Sequence, residues 1–150
     1  MSQFKPWFSK KKHSLKEDKV KHAENKLWEV FSQFIRLRDS DHEGMCKCFT
    51  CHRITHWTRM DAGHGVPRQH KATKFNESNN HAQCKHCNGF EGGKREVYKE
   101  KMDKRYGAGT WDRMLIASKD TAKYGVTELQ AMTAYYRNEV SRLKQEKGML

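Results

Sequence analysis

Two cysteine pairs of the form C-x2-C stand in this chain, Cys48-Phe-Thr-Cys51 and Cys84-Lys-His-Cys87. Each pair bends tightly enough for two sulfurs to grip one ion, and four thiolates make the tetrahedral shell that zinc takes. A thioredoxin-like redox motif would supply one pair in a βαβ context, whereas here two pairs lie in a polar, glycine-rich stretch. Structural Zn²⁺ held by Cys48, Cys51, Cys84 and Cys87 is the expectation. Cys46 precedes Cys48 by two positions and could substitute as a ligand, but the C-x2-C spacing favours Cys48.

Between the pairs the chain reads MDAGHGVPR, with His64 between Gly63 and Gly65. Glycines on both sides give up strand and helix stability and expose backbone. Asn79 stands five residues before Cys84, and Asn88 directly follows Cys87. This order (an Asp/His element, then Asn, then a residue just past the second knuckle) resembles the HNH or ββα-metal nucleases. The chain, chiefly over residues 45–124, is more specifically similar to the phage NinG/Rap recombination-endonuclease family. The matching stretches are IRLRDSD, CFTCHR, DAGHGVPRQHKATKF, NNHAQCKHCNGFEGG and the KRYG that follows. The stretch CNGFEGGK also resembles the same region of phage recombination endonuclease VII, a resolver of branched DNA. Several motifs in one order are far more specific than the cysteine pairs alone.

The resemblance implies a zinc-pinned β-hairpin and helix with a separate divalent ion between them. It makes His64 the general base, because a neutral imidazole titrates near working pH and can take a proton from water. Gly63 and Gly65 would let a DNA phosphate come close, and Asn79 would orient the imidazole through its amide. A hard cation, Mg²⁺ or Mn²⁺, would neutralise the phosphate and the leaving oxygen, with Asp61 and Asn88 as oxygen ligands and Glu91 as a third candidate. Arg68 would hold a non-bridging phosphate oxygen. Lys94 and the run Lys10, Lys11, Lys12 complete the expected DNA contacts. One departure stands out: many HNH enzymes place the acidic ligand directly before the base, and here Asp61 is three residues ahead of His64. In a regular strand those side chains face opposite ways, so a bulge at Ala62-Gly63 would be needed to realign them. His81 is the alternative ligand or competing base. His52, His56, His70 and His86 are expected at the surface or in support.

The elements that must position these residues follow from the apolar pattern. From Ser14 to about Arg38, Val20, Ala23, Leu27, Val30, Phe31, Phe34 and Ile35 recur at three- and four-residue steps, which is an amphipathic helix. Residues 39–92 are rich in Cys, His, Gly and Asn, and their order must come from something other than aliphatic burial; zinc binding, worth about 10 kcal/mol, would supply it. The stretch ITHWTRMDAGH could form a hairpin. A helical pattern returns from Gly93 to about Tyr106, with Gly107 as its stop. Thr110 can cap a short helix carrying Trp111, Met114 and Leu115. Thr127 with Gln130 looks like a capping box for a final helix, whose stripe Leu129, Met132, Tyr136, Val140, Leu143 is core or a dimer seam. The expected class is α+β, mainly α: a zinc-stabilised HNH/treble-clef ββα-metal core flanked by N- and C-terminal helices. The expected divisions are a flexible basic arm (1–14), an amphipathic helix and linker (15–44), the nuclease core (45–107) and a C-terminal helical region (108–150).

Charge bounds the partner. The chain has 150 residues with 30 Lys/Arg against 18 Asp/Glu, a net charge of +12, and residues 1–38 alone hold ten basic against four acidic groups. Such an excess points to a polyanion, most often nucleic acid. Mean hydropathy is −1.06, no window approaches a membrane span, and the start lacks a secretory apolar segment. The expected place is therefore intracellular, where five cysteines serve as ligands rather than disulfides; the resemblance narrows it to the cytoplasm of a bacterial host, for a phage-encoded protein. Together these imply a metal-dependent endonuclease of phage recombination that hydrolyses phosphodiesters in branched DNA, a Holliday junction or D-loop. The alternative is a non-catalytic zinc-knuckle module binding DNA or an acidic partner; an interaction adaptor would leave the basic N-terminal region without a purpose. Branched DNA often calls for two active sites, so a homodimer through either terminal helix is expected.

Overall fold

The structure is a computed structural model that describes residues 14–149. The basic arm expected over 1–14, with Lys10, Lys11 and Lys12, lies almost wholly outside the described residues. Helix α1 spans Leu15–Arg38. Ser14 accepts from the Glu17 amide while the Glu17 carboxylate accepts from the Ser14 amide, a reciprocal cap that fixes where the helix starts. Its apolar stripe buries Ala23, Leu27, Val30, Phe31, Phe34 and Ile35.

The final long helix, Val126–Glu146, will be α5. It runs alongside α1 in the same direction: Leu15 and Val126 line one groove at the N-terminal ends, and Lys147 donates to the carbonyls of Leu37 and Ser40 at the other. Tyr136 meets Phe31 edge-on at 4.8 Å and Phe34 at 5.0 Å. Leu129, Val140 and Leu143 join that core. The C-terminal stripe is thus spent inside the chain, against α1, and is not free as a dimer seam. The capping box expected at Thr127 and Gln130 does not form. The helix starts two residues earlier, at Val126, with Gly125 as its N-cap and no side-chain cap.

Two small antiparallel sheets lie on α1's other flank. Strands β1 (Met45–Lys47) and β2 (Ile54–His56) form one; β3 (Met60–His64) and β4 (Asn80–Cys84) form the other. The hairpin expected within ITHWTRMDAGH is therefore divided. Its first three residues pair with β1 across the first cysteine knuckle, and a 3-10 turn at Trp57–Arg59 then delivers the chain to the second sheet. No turn-forming residue in THWTR could fold the stretch on itself, while the long-range strand ahead of the second knuckle offers β3 a partner. The β3–β4 ladder runs without a break from Met60↔Cys84 to His64↔Asn80. No bulge exists at Ala62-Gly63.

A single helical turn, α2 (Lys71–Lys74), interrupts the β3–β4 connection. After β4 the chain makes a wide π-helical turn over His86–Phe90, closed by the Glu91 amide on the His86 carbonyl at 3.0 Å. Helix α3 spans Arg95–Tyr106 and stops at Gly107, whose φ of +108° suits glycine. Helix α4 spans Thr110–Ser118. Its cap is Asp103, which accepts the Trp111 amide at 2.9 Å, whereas Thr110 turns its hydroxyl back to the Gly107 carbonyl. Phe49, Val66, Tyr98, Met102, Trp111 and Met114 form the core that ties α3 and α4 to the sheet. The whole is a mixed α+β fold, mainly helical, and no described helix is long and apolar enough to cross a membrane.

Candidate metal centre and adjoining cleft

The knuckles converge. One sulfur from each of Cys48, Cys51, Cys84 and Cys87 lies within 4.8 Å of all the others, beneath Met60 and Ala82. Backbone amides donate to these sulfurs: Cys84 to Cys48 at 3.3 Å, Arg53 to Cys51 at 3.4 Å and Cys87 to Cys84 at 3.4 Å. Burial works to raise the Cys48 thiol, but the Cys84 amide and Thr50's donors outweigh it and bring it down to about 6. Burial and the neighbouring sulfurs push Cys87 up to about 12. Four thiols in one buried cluster cannot all ionise against one another. A soft dication removes the conflict, so the set can hold a metal such as zinc. Cys46 is excluded from it. Its sulfur donates to the Arg36 carbonyl at 3.1 Å, and burial pushes its thiol up to about 12.

Strand β3 pairs on one side only. Along its free edge runs a cleft of about 570 Å³, walled by α1 on one side and by the turn after the second knuckle on the other. Asp61, His64, Arg68 and Asn88 all line it. Because the cleft lies at the strand's edge, Asp61 reaches it from one face and His64 from the other, and no bulge is required.

His64 is held from two sides. Its ring stacks on Trp28, with centroids 4.9 Å apart and planes 20° from parallel. Its Nε2 lies 3.0 Å from the Lys74 carbonyl; a carbonyl only accepts, so Nε2 carries the proton and Nδ1 of the neutral ring keeps its lone pair. The same carbonyl accepts from Asn80 Nδ2 at 3.1 Å, and Asn80 is the residue opposite His64 in the ladder. Burial, helped by the charges of Lys74 and Arg68, lowers the His64 pKa to about 4 despite that carbonyl. The imidazole is neutral at pH 7.

Asp61 is engaged by two donors, Lys85 Nζ at 2.8 Å on Oδ1 and Asn88 Nδ2 at 3.1 Å on Oδ2. Both carboxylate oxygens of Asp61 thus already have donors, and a hard ion bound there would have to displace Lys85 and draw on the Asn88 amide oxygen. Arg36, Arg68 and Arg95 add positive charge around the cleft.

Several expected roles change. Asn79 does not orient the imidazole: wholly buried, it accepts from the Val66 amide at 2.7 Å and donates to the carbonyls of Val66 and Thr73. It staples the loop after β3, and Asn80 does the orienting. Gly63 and Gly65 do not clear space for a phosphate. A Cβ on Gly63 would lie 1.9 Å from Gln83 Oε1, and one on Gly65 would lie 2.8 Å from Tyr98 Cε1, so both admit interior side chains. His81 lies outside the cleft, fully buried, its nitrogens 2.9 Å and 2.7 Å from the hydroxyls of Tyr98 and Tyr106 and its pKa lowered by burial to about 2. With both nitrogens occupied it is neither ligand nor base. Glu91 faces His86 at 3.2 Å on the surface and does not line the cleft. Lys94 sits between cleft residues Gly93 and Arg95 without lining it; its φ of +47° is the one positive value for a non-glycine among the described residues. His52 and His86 are exposed, and His56 and His70 are half-buried.

Trp28, Arg36, Asn80, Lys85 and Arg95 escaped the sequence reading. A signal existed for the first two: Trp28, Ser32 and Arg36 fall at i, i+4 and i+8, one row of α1 beside the apolar stripe, and all three line the cleft. Asn80 needed the strand register.

A family model described as Bacteriophage Lambda NinG protein matches residues 5–146 of this chain. The chain belongs to the NinG family. A curated relative, Protein ninG of Escherichia phage lambda, is 26% identical over 121 residues, which cover 80% of this chain and 56% of that protein. The chain thus spans little more than half the length of this relative. No solved structure matches it.

Proposed function

We propose that this NinG-family protein is a metal-dependent DNA endonuclease that hydrolyses phosphodiesters in branched DNA during phage recombination. The observation that carries the reading is His64: a neutral imidazole with a free Nδ1, locked in place in a cleft that also holds Asp61, Asn88 and Arg68. His64 takes the proton from the attacking water at Nδ1, and the Lys74 carbonyl steadies the positive ring that results. Arg68, with Arg36 and Arg95, binds phosphate oxygens and orients the backbone along the β3 edge. Asp61 and Asn88 would hold Mg²⁺ or Mn²⁺, which supplies charge neutralisation at the phosphate. The four-cysteine centre is assigned zinc and a structural task. The resemblance to branched-DNA endonucleases supports the substrate class, and the net charge of +12 suits a polyanion. The setting proposed is the bacterial host cytoplasm.

One observation favours a second reading. Lys85 already neutralises Asp61, as it would in a module that grips a phosphate without cutting. The two part on incubation of the purified protein with labelled four-way junction and linear DNA in Mg²⁺, Mn²⁺ or EDTA. The nuclease reading expects divalent-dependent cutting, strongest on the junction. Tight binding with no cutting under any condition would leave the non-catalytic module.

A further inference from the structure

Across the sheet from the cleft lies a second groove, of about 620 Å³, lined in part by Lys47, Phe49, Lys101, Lys104 and Arg105. It flanks the outer edge of β4, where the Ala82 carbonyl accepts the Phe49 amide at 2.9 Å and the Ala82 amide donates to Asp39 at 2.8 Å. That edge is closed to another strand. Lys101, Lys104 and Arg105 share one face of α3 at i, i+3 and i+4, and Lys47 comes from β1.

These four cations have no acidic partner among the described residues. Some basic groups elsewhere do find one: Lys71 and Lys74 face Glu24, and Arg142 faces Glu139 and Glu146. What marks this set is that four unpaired cations line one groove. The groove's acid, Asp39, is consumed by Arg38 at 2.8 Å. Arg105 instead lies over the Phe49 ring at 4.9 Å, which aims its guanidinium without neutralising it. Like charges gathered from two elements repel one another unless an anion sits between them.

We infer that this groove binds the sugar–phosphate backbone of a second duplex arm of branched DNA, while the first arm occupies the cleft at the opposite edge of the sheet. The inference rests on the reading above that DNA lies in the cleft. It assigns the fold's selectivity for branches to two basic surfaces, one on each edge of one small sheet.

The test measures binding, not cutting, so the two claims can fail separately. Full-length protein carrying His64→Ala, without added divalent ion, is titrated with labelled four-way junction and with linear duplex across a salt series. Lys101→Gln/Lys104→Gln/Arg105→Gln is expected to lower the slope of log affinity against log salt by about 2–3 on the junction and to leave the linear slope unchanged. Lys47→Gln/Lys104→Gln, which keeps Arg105 on Phe49, is expected to lower it by about 2 and guards against a packing defect in the triple variant. An unchanged junction slope in both variants, or an equal drop on linear DNA, overturns the second-arm site. A protein that shows the junction-specific drop yet cuts nothing keeps this inference and loses the nuclease; a cutting enzyme with unchanged slopes does the reverse.

Discussion

At the scale of single residues, the carbonyl of Lys74 sets the chemistry of His64. It fixes the tautomer, and burial keeps the ring uncharged and holds its titration near 4, below the working-pH value expected from sequence. The same burial has a consequence for stability. The folded pKa of about 4 lies below the ordinary 6.5, so between those values the unfolded chain binds the proton first. The contribution is complete above pH 6.5 and is lost as pH falls toward 4, a total of roughly 3 kcal/mol. His81, lowered by burial to about 2, acts in the same direction. Denaturant unfolding at neutral and mildly acid pH should therefore show a steep loss of stability on acidification, and a shallower one for His64→Gln. Equal pH slopes for the two proteins would contradict the buried, neutral His64. Thiol protonation at the metal centre weighs on both alike and does not enter the difference.

At the scale of elements, the β3–β4 pair is built around absent side chains. The Gln83 side chain passes under Gly63 to donate to the Thr50 hydroxyl at 2.9 Å and the Gly93 carbonyl at 3.0 Å, tying the sheet to the first knuckle and to the turn before α3. Gly63→Ala should overpack this site and cost about 1–3 kcal/mol. In a Gln83→Ala background the same change should cost far less, and urea melts of the four proteins in the cycle read the difference. Simple additivity would mean that Gly63 serves something other than Gln83. Local pattern carried the long helices and the cysteine centre into view from sequence alone: the stripe of α1, the stop at Gly107 and the two C-x2-C pairs each act over a few residues. The roles of Asn79, Asn80 and the two glycines were not legible, because they depend on which strands pair and in what register. The same ignorance divided the expected hairpin, since the partner of Met60–His64 lies beyond a long loop.

For the whole molecule, three cores of different kinds share the work. The α1–α5 layer is aliphatic and aromatic, the α3–α4 layer is aromatic, and the region between rests on cysteines. Metal loading should therefore govern folding of the central sheet more than that of the long helices. Purified protein should contain about one zinc per chain, and Cys84→Ser should abolish it and the protease resistance of residues 45–107. Brief EDTA should stop cutting before it unfolds the protein, because a hard-ion site keeps exchangeable waters. A zinc-free protein with an intact, protease-resistant centre would refute the metal's structural role.

The claim that joins these scales is that the cleft cuts DNA through His64. The most direct measurement is the rate of junction cleavage by wild type and His64→Ala, both zinc-loaded, matched in fold and DNA affinity, and free of contaminating nuclease. The account predicts that the variant binds as wild type does and cuts about 10²–10⁴-fold more slowly, since the imidazole accepts its proton only on the way to the transition state. Cleavage by His64→Ala at the wild-type rate would contradict it.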